Sequence, residues 1–348
     1  MRITIIGAGA IGGMLGAKLS IAGEDVTFVE LNAAHADAIA RDGLKVVDHD
    51  GNPDHVARGV KVTADIASPG SQDLVVIAVK AHQIPAVART LAPLLGPATM
   101  VMTVQNGVPW WYFQKLKGEY EGRRIEAVDP GGEIERYIDA DRVVGCVVYP
   151  AGEVIAPGVI KHVEGDRYSV GELDGSQTDR IKALSEMLIK AGFKSYVLED
   201  IRSEIWLKLW GNLSFNPISA LTHGTLAGIC RFAPTRELAA SMMREAQTIG
   251  EKLGITFRHT IEKRIAGAEG VGEHKTSMLQ DVEAGRGLEI EALVGAVVEL
   301  GRLTSTPTPS IDAVYACVKL LDKVMSDGGV AFPPVPKAGS AQAVPARA

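Results

Sequence analysis

Short apolar runs rich in β-branched residues mark the first half of the chain, at residues 3–6, 26–29, 74–79 and 100–104, and each reads as a strand buried on both faces. Helical periodicity separates them, an alternation that predicts βαβ units around a parallel sheet. Between Gly43 and Asp65 the pattern weakens. Asp50-Gly51 offers a hairpin turn between two valine-rich pieces there, so a small inserted strand pair is expected. Residues 119–141 are charged and carry Pro130-Gly131-Gly132 in their middle, the composition of a surface excursion or a lid before a further strand at 143–148. A helical pattern then runs from Thr178 to Ala191, stops at Gly192 and leads to a last strand near 195–198.

After Asp200 the period becomes that of long amphipathic helices, with no strand pattern through about Asp322. The reading is an α/β domain of Rossmann type over residues 1–199 and an all-helical domain over 200–330. Residues 331–348 carry Pro333, Pro334, Pro336 and Pro345 among small residues, and a disordered tail is expected. With 46% apolar and 22% charged residues, a chain of 348 suits two ordinary globular cores.

The net charge of −6, with no lysine- or arginine-rich run, argues against a nucleic acid or an anionic membrane as partner. No stretch approaches the roughly 20 uninterrupted apolar residues of a membrane helix. The apolar start of the chain is broken by glycines at 7, 9, 12, 13 and 16, which reads as strand, turn and helix rather than a signal peptide. Three cysteines, odd in number and far apart, form neither a disulfide framework nor a zinc spacing, so a cytoplasmic protein is expected. The 8 histidines show no metal-binding pair, and no metal is expected.

Chemistry enters with Gly7-Ala8-Gly9-Ala10-Ile11-Gly12, placed between the first strand and the helix after it. In that setting a G-x-G-x-x-G pattern is a dinucleotide site: Gly7 allows the tight turn, Gly9 lacks the Cβ that would strike the pyrophosphate, and Gly12 lets helix and strand pack closely. The helix N-terminus supplies N–H donors and a positive dipole end. Glu30 ends the second strand, where a carboxylate accepts from ribose hydroxyls and repels a 2′-phosphate; no arginine or lysine follows it, which favours NADH over NADPH.

In the helix opening the second half, Lys208, Asn212 and Asn216 are spaced i, i+4, i+8 and share one face. Trp206, Leu207, Leu209, Trp210, Leu213 and Phe215 surround them, so the lysine should be partly desolvated and its pKa lowered toward values useful for proton donation. Pro217 is expected to disturb the helix below Asn216. The aromatic run Trp110, Trp111, Tyr112 and Phe113 reads as a packed helix start, or else as the wall of a larger apolar pocket.

The stretch Glu204-Ile205-Trp206-Leu207-Lys208-Leu209 with Asn212 and Asn216-Pro217 resembles the signature helix of ketopantoate reductases, in which the matching lysine is the proton donor. Thr103-Val104-Gln105-Asn106-Gly107-Val108 is similar to that family's Gln-Asn-Gly turn, whose asparagine lies near nicotinamide and substrate. Ser277-Met278-Leu279-Gln280-Asp281 with Glu289 is similar to its late helical motif, and Val79-Lys80-Ala81 to a loop whose lysine faces the cofactor. The resemblance implies a second domain like the C-terminal domain of 6-phosphogluconate dehydrogenase. It implies hydride transfer from NAD(P)H to a small 2-oxo acid, 2-dehydropantoate giving pantoate. Lys208 would be the proton donor, with Asn106, Asn212, Asn216 and Ser277 on the substrate, and Lys80, Asn106 and Glu289 by the cofactor.

The chain departs from the family at Glu30, where basic residues usually serve NADPH, at Val294-Gly295 in place of Asn-Gly, and at apolar Leu226 in place of an asparagine. A reductase of a bulkier 2-oxo acid or ketone is therefore a second reading. A non-catalytic dinucleotide sensor is a third, against which stands the joint presence of Lys208, Asn106, Ser277 and Glu289. A helical second half commonly supports a homodimer.

Overall fold

The computed structural model describes residues 1–328, so the tail expected at 331–348 lies outside the described residues. The first strands in chain order are β1 (Arg2–Ile6), β2 (Asp25–Val29), β3 (Leu44–Val47), β4 (Pro53–Ala57), β5 (Lys61–Thr63) and β6 (Gln72–Ile77). They are followed by β7 (Leu95–Thr103), β8 (Val143–Val148), β9 (Ala151–Ala156), β10 (Val159–Glu164), β11 (Arg167–Glu172) and β12 (Lys194–Val197). Eight of them form one sheet in the order β12-β11-β8-β7-β6-β1-β2-β5, parallel throughout except where β11 runs against β8. Ile3 faces Val26 on one side and Leu74 on the other, so β1 sits mid-sheet and has both faces covered, which explains its unbroken apolar run. The sheet order reverses at β1, and ligands of open α/β sheets bind in the crevice at such a point.

The expected hairpin is present as β3 and β4, its turn held by Asp48, which accepts from the N–H groups of Asp50 (2.9 Å) and Asn52 (2.8 Å). It is half of a larger unit: β10 pairs in parallel with β3 and antiparallel with β9, giving a second sheet β4-β3-β10-β9. The sequence reading contains neither β9, β10 nor β11. Val154 and Ile155 of β9 are 42% and 48% exposed, so this edge strand lacks the one-sided apolar alternation by which a strand is recognised.

The helices of the first half are α1 (Ala10–Ile21), α2 (Ala33–Asp42), α3 (Ile84–Ala88) and α4 (Asp179–Lys190). The fourth matches expectation: Thr178 caps it by accepting from Ile181 N–H at 3.3 Å, and Gly192 follows it with φ +83°. After the last strand come α5 (Ile201–Thr222), α6 (Leu226–Arg231), α7 (Ala233–Lys252), α8 (Ile261–Gly270), α9 (Ser277–Glu283), α10 (Ala296–Leu303) and α11 (Pro309–Ser326). A π-helical turn at Glu291–Gly295 leads into α10.

Three expectations need correction. Pro217 does not interrupt its helix, which runs on to Thr222. An interior proline costs about 3 kcal/mol, and Phe215, Ile218 and Ala220, all buried around it, each return a sizeable part of that. The run from Trp110 to Phe113 is packed, yet forms successive turns rather than a helix start, with Tyr112 N–H bonded to Pro109 O (3.1 Å) and Gln114 N–H to Trp111 O (2.9 Å). Residues 119–141 are no loose surface excursion: Ile125, Ile134 and Ile138 are buried, and Glu299 of α10 accepts from the N–H groups of Glu126 and Ala127 at 2.9 and 2.8 Å.

The two halves meet along α5. Buried Arg202 donates to the carbonyls of Tyr112, Leu173 and Gln114 at 2.6–2.8 Å, and Val108 N–H bonds to Ala292 O at 2.8 Å.

Candidate active site

The glycine turn has the geometry that a dinucleotide requires. Gly7 takes φ +95°, a conformation that side chains rarely adopt. At Gly12 a Cβ would stand 2.2 Å from Gly7 O and 2.7 Å from the Ala78 side chain, so α1 lies directly on β1 and β6. At Gly9 a Cβ would meet nothing within 4 Å, because this residue faces the open cleft. Gly13 N–H is the first to bond within the helix, to Gly9 O at 2.7 Å. Ahead of it, the N–H groups of Ala10, Ile11 and Gly12 have no acceptor among the described residues. Those free donors at a helix N-terminus make an anion site.

Glu30 is drawn into this turn. Its carboxylate accepts from Ala8 N–H (2.9 Å) and Asn32 N–H (2.8 Å) while lining the cleft. His35, absent from the sequence reading, completes the turn: Nδ1 accepts from Gly158 N–H (3.0 Å), which leaves the proton on Nε2 to donate to Ala8 O (2.9 Å). The second sheet is thereby tied to the glycine loop. No local signal marks His35, since its partners lie far away in sequence.

From this turn a cleft of about 650 Å³ extends past Val79, Lys80 and Asn106 to Ser277 and Glu289 of the helical half. Asn106, which lines this cleft, accepts at Oδ1 from Lys208 Nζ at 2.6 Å; the lysine, in a small adjoining cavity, donates also to the carbonyl of Val148 and lies 5.8 Å from the Tyr149 ring centre. Burial lowers its pKa to about 8; the nearby thiol Cys146 and carboxyl Glu289 oppose that shift, and the charge of Arg264 adds to it. The Cys146 thiol is itself pushed up to about 12 by burial, so it stays neutral. The expected desolvated lysine is thus present, although its packing against β8 was not foreseeable from its own helix.

Asn216 is buried and donates from Nδ2 to Ser277 Oγ at 3.3 Å. Ser277 opens α9 directly after Thr276, whose hydroxyl caps the helix by accepting from Leu279 N–H at 3.3 Å. Thr276→Ala removes that cap and should lower stability by ~1 kcal/mol in denaturant titration, with a raised KM from a less well placed Ser277. Asn212 is half-buried, and its carboxamide has no partner among the described residues. The stripe of the α5 helix is therefore assembled as its spacing suggests, with Asn106 and Ser277 brought to it from other elements.

Glu289 accepts from Ala81 N–H at 3.0 Å, and burial raises its pKa. Lys80 lines the cleft, but its ammonium is taken up by Asp281 (2.5 Å) and the carbonyl of Gly287 (3.0 Å), so it clasps the two halves together across the cleft. Glu204, the first residue of the α5 motif, holds Tyr149 beside the lysine through contacts the sequence did not reveal: it receives the Tyr149 hydroxyl at 2.5 Å and pairs with Arg167 (3.2 Å) and Arg258 (2.5 Å). Trp110 and Trp111 line a small enclosed cavity behind Asn106 and Lys208. Among the described residues no group of His, Cys, Asp and Glu is placed to hold a metal ion, and no helix is long and apolar enough to cross a membrane.

The sequence model for "Ketopantoate reductase PanE/ApbA" matches residues 3–175, and the one for that family's C-terminal part matches residues 200–322. The chain belongs to the ketopantoate reductase family. A 2-dehydropantoate 2-reductase of Mesorhizobium japonicum is 55% identical over 92% of this chain and 98% of its own length. Among solved structures, one from Ralstonia solanacearum is 38% identical, with a TM-score of 0.87 over 93% of this chain and 98% of that one. A D-mandelate dehydrogenase solved with NADH and anilino(oxo)acetate shares the fold, with 20% identity and a TM-score of 0.79 over 94% of this chain and 99% of its own. The α/β first half and helical second half are those of the family.

Proposed function

We propose that the chain reduces 2-dehydropantoate to pantoate with a nicotinamide dinucleotide, Lys208 supplying the proton. The observation that carries this reading is the buried Lys208 ammonium held by Val148 O and by Oδ1 of Asn106, a residue that lines the cleft. The printed activity of the Mesorhizobium japonicum relative supports the substrate.

The residues present fit the cofactor: an open face at Gly9, free N–H groups at the start of α1, and a cleft of about 650 Å³ running from them to Asn106, the residue that holds the lysine. When bound, a reduced nicotinamide supplies the hydride. Lys208 has three N–H donors, and two are spent on Asn106 and Val148, so the third remains for the keto oxygen. With a pKa of about 8 it is mostly an ammonium at neutral pH yet gives up its proton readily as charge grows on that oxygen. Asn106 spends its Oδ1 on the lysine and keeps its N–H donors for substrate. Asn212, Asn216 and Ser277 orient the remaining oxygens, and Glu289 fixes the Ala81 backbone next to the cofactor path.

The adenosine end of the cleft carries Glu30 and Glu153, while its cations Lys80 and Arg286 are paired with Asp281 at 2.5 and 2.8 Å. Those charges favour NADH over NADPH, the usual family cofactor. Glu30→Gln keeps an acceptor in the turn but removes the charge, and should shift the ratio of kcat/KM for NADPH over NADH upward by about tenfold. Cys146, Cys230 and Cys317 are free thiols, which suits the reducing cytoplasm included in this proposal.

The test is steady-state oxidation of NADH and NADPH by purified protein with 2-dehydropantoate and a panel of bulkier 2-oxo acids. Turnover of 2-dehydropantoate well above the others supports the proposal. Preference for a bulkier acid would overturn the substrate, and no turnover of any acid would overturn the activity.

A further inference from the structure

The cavity that Lys208 and Asn106 share with Trp110 and Trp111 has a volume of about 40 Å³. Its wall is largely apolar, built from Ile84, Val128, Ile134, Ile205 and Leu209, and it adjoins the cofactor cleft at Gln105 and Asn106, which line both spaces. At roughly 10–15 Å³ for each water-sized group, it accommodates about three of them.

Two residues of this wall carry a buried polar atom that has no partner among the described residues. Trp110 is only 3% exposed, and its Nε1 finds no acceptor. Gln105 Nε2 donates to the carbonyls of Ile77 (2.8 Å) and Val79 (2.7 Å), which fixes the orientation of the carboxamide and leaves Oε1 buried without a donor. Other polar groups of the wall are engaged: Trp111 Nε1 donates to Thr103 Oγ1 at 2.9 Å, and Asn106 Oδ1 receives Lys208. A buried donor and a buried acceptor left unpaired both cost free energy, and one group that accepts from the first and donates to the second relieves both. A hydroxyl does this. A methyl does neither, and a carboxylate can only accept.

We propose that this cavity takes the hydroxymethyl arm of the 2-oxo acid, its hydroxyl accepting from Trp110 Nε1 and donating to Gln105 Oε1, so that these two residues select a hydroxylated substrate. This rests on the reading of the chain as a 2-dehydropantoate reductase. In that acid the hydroxyl is only a few bonds from the keto oxygen, and Lys208, the donor to the keto oxygen, lines the same cavity. The arm adds two heavy atoms to the branched carbon, within the capacity of the space. The carboxylate is left to Asn212, Asn216 and Ser277.

The experiment compares wild type with Trp110→Phe and Val128→Leu, measuring kcat/KM at saturating NADH for 2-dehydropantoate and for trimethylpyruvate, the same acid with hydrogen in place of the hydroxyl. The Kd for NADH by fluorescence and the thermal midpoint are measured alongside. Wild type should favour the hydroxylated acid by roughly 10²-fold. In Trp110→Phe that acid should lose about tenfold and trimethylpyruvate less than about threefold, with NADH binding unchanged. Val128→Leu narrows the cavity while keeping both polar groups, and should also penalise 2-dehydropantoate more than the smaller acid, which keeps the test open if Trp110→Phe folds poorly. Equal efficiencies for the two acids in wild type, or equal falls for both in the variants, overturn the proposal; these are the results expected if the cavity holds water alone. If wild type reduces neither acid, the parent reading fails, and calorimetry on the NADH complex decides the subsite. Tighter binding of 2-dehydropantoate than of trimethylpyruvate, lost in Trp110→Phe, still supports it, and equal or absent binding in wild type overturns it.

Discussion

Lys208→Met is expected to lower kcat by roughly 10²- to 10⁴-fold while the Kd for NADH stays within about twofold of wild type. Methionine preserves the length and apolar stem that pack among Cys146, Val148 and Leu209, so the fold should tolerate it. What it removes is the proton and the third donor. The same residue sets the pH dependence. Its acid form is the one required, and burial has lowered its pKa to about 8, so kcat/KM for the 2-oxo acid should be level below that pH and fall as pH rises through it. An unburied lysine would hold the plateau to about pH 10. A pH profile of wild type, with NADH saturating, distinguishes the two. Loss of activity on acidification toward pH 7 would contradict the assignment.

The second large effect is expected at the glycine turn, where two substitutions of the same size should behave differently. Gly12→Ala places a methyl 2.2 Å from a backbone oxygen and 2.7 Å from Ala78, so α1 must lift from β1 and β6. Overpacking of this kind costs about 1–3 kcal/mol, visible as a lower thermal midpoint, and the displaced helix should weaken NADH binding by more than about tenfold. Gly9→Ala meets nothing within 4 Å, and its φ of −64° suits any residue. That variant should melt like wild type yet also lose NADH affinity, because the new methyl points at the pyrophosphate. Comparable melting and binding losses in both would mean that the loop serves packing alone.

The contrast between these residues shows what a sequence discloses. Gly7, Gly9 and Gly12 act through neighbours within one turn of chain, as do Lys208, Asn212 and Asn216 along one helix face, and local spacing is enough to find them. β1, β2, β6 and β7 were legible for the same reason, since each carries its burial in a continuous apolar run. His35, Tyr149 and Arg258 work only through partners from distant elements, and nothing in their flanking residues distinguishes them from solvated polar positions. The β9 strand of the second sheet escaped because it is an exposed edge, and Pro217 misled because its cost is local while the burial that offsets it comes from the whole helical core. Lys80 shows a further limit: the motif locates the residue, while its ion pair with Asp281 comes from a distant element.

The central claim is that hydride arrives at the keto carbon of 2-dehydropantoate in this cleft. Its most direct test is incubation of the purified chain with 2-dehydropantoate and NADH labelled with deuterium at the transferable C4 position, followed by mass spectrometry and NMR of the product. The account predicts pantoate carrying one deuterium at C2, formed by wild type and not by Lys208→Met. NADH oxidation without labelled pantoate, or no reaction while NADH binds, would contradict it.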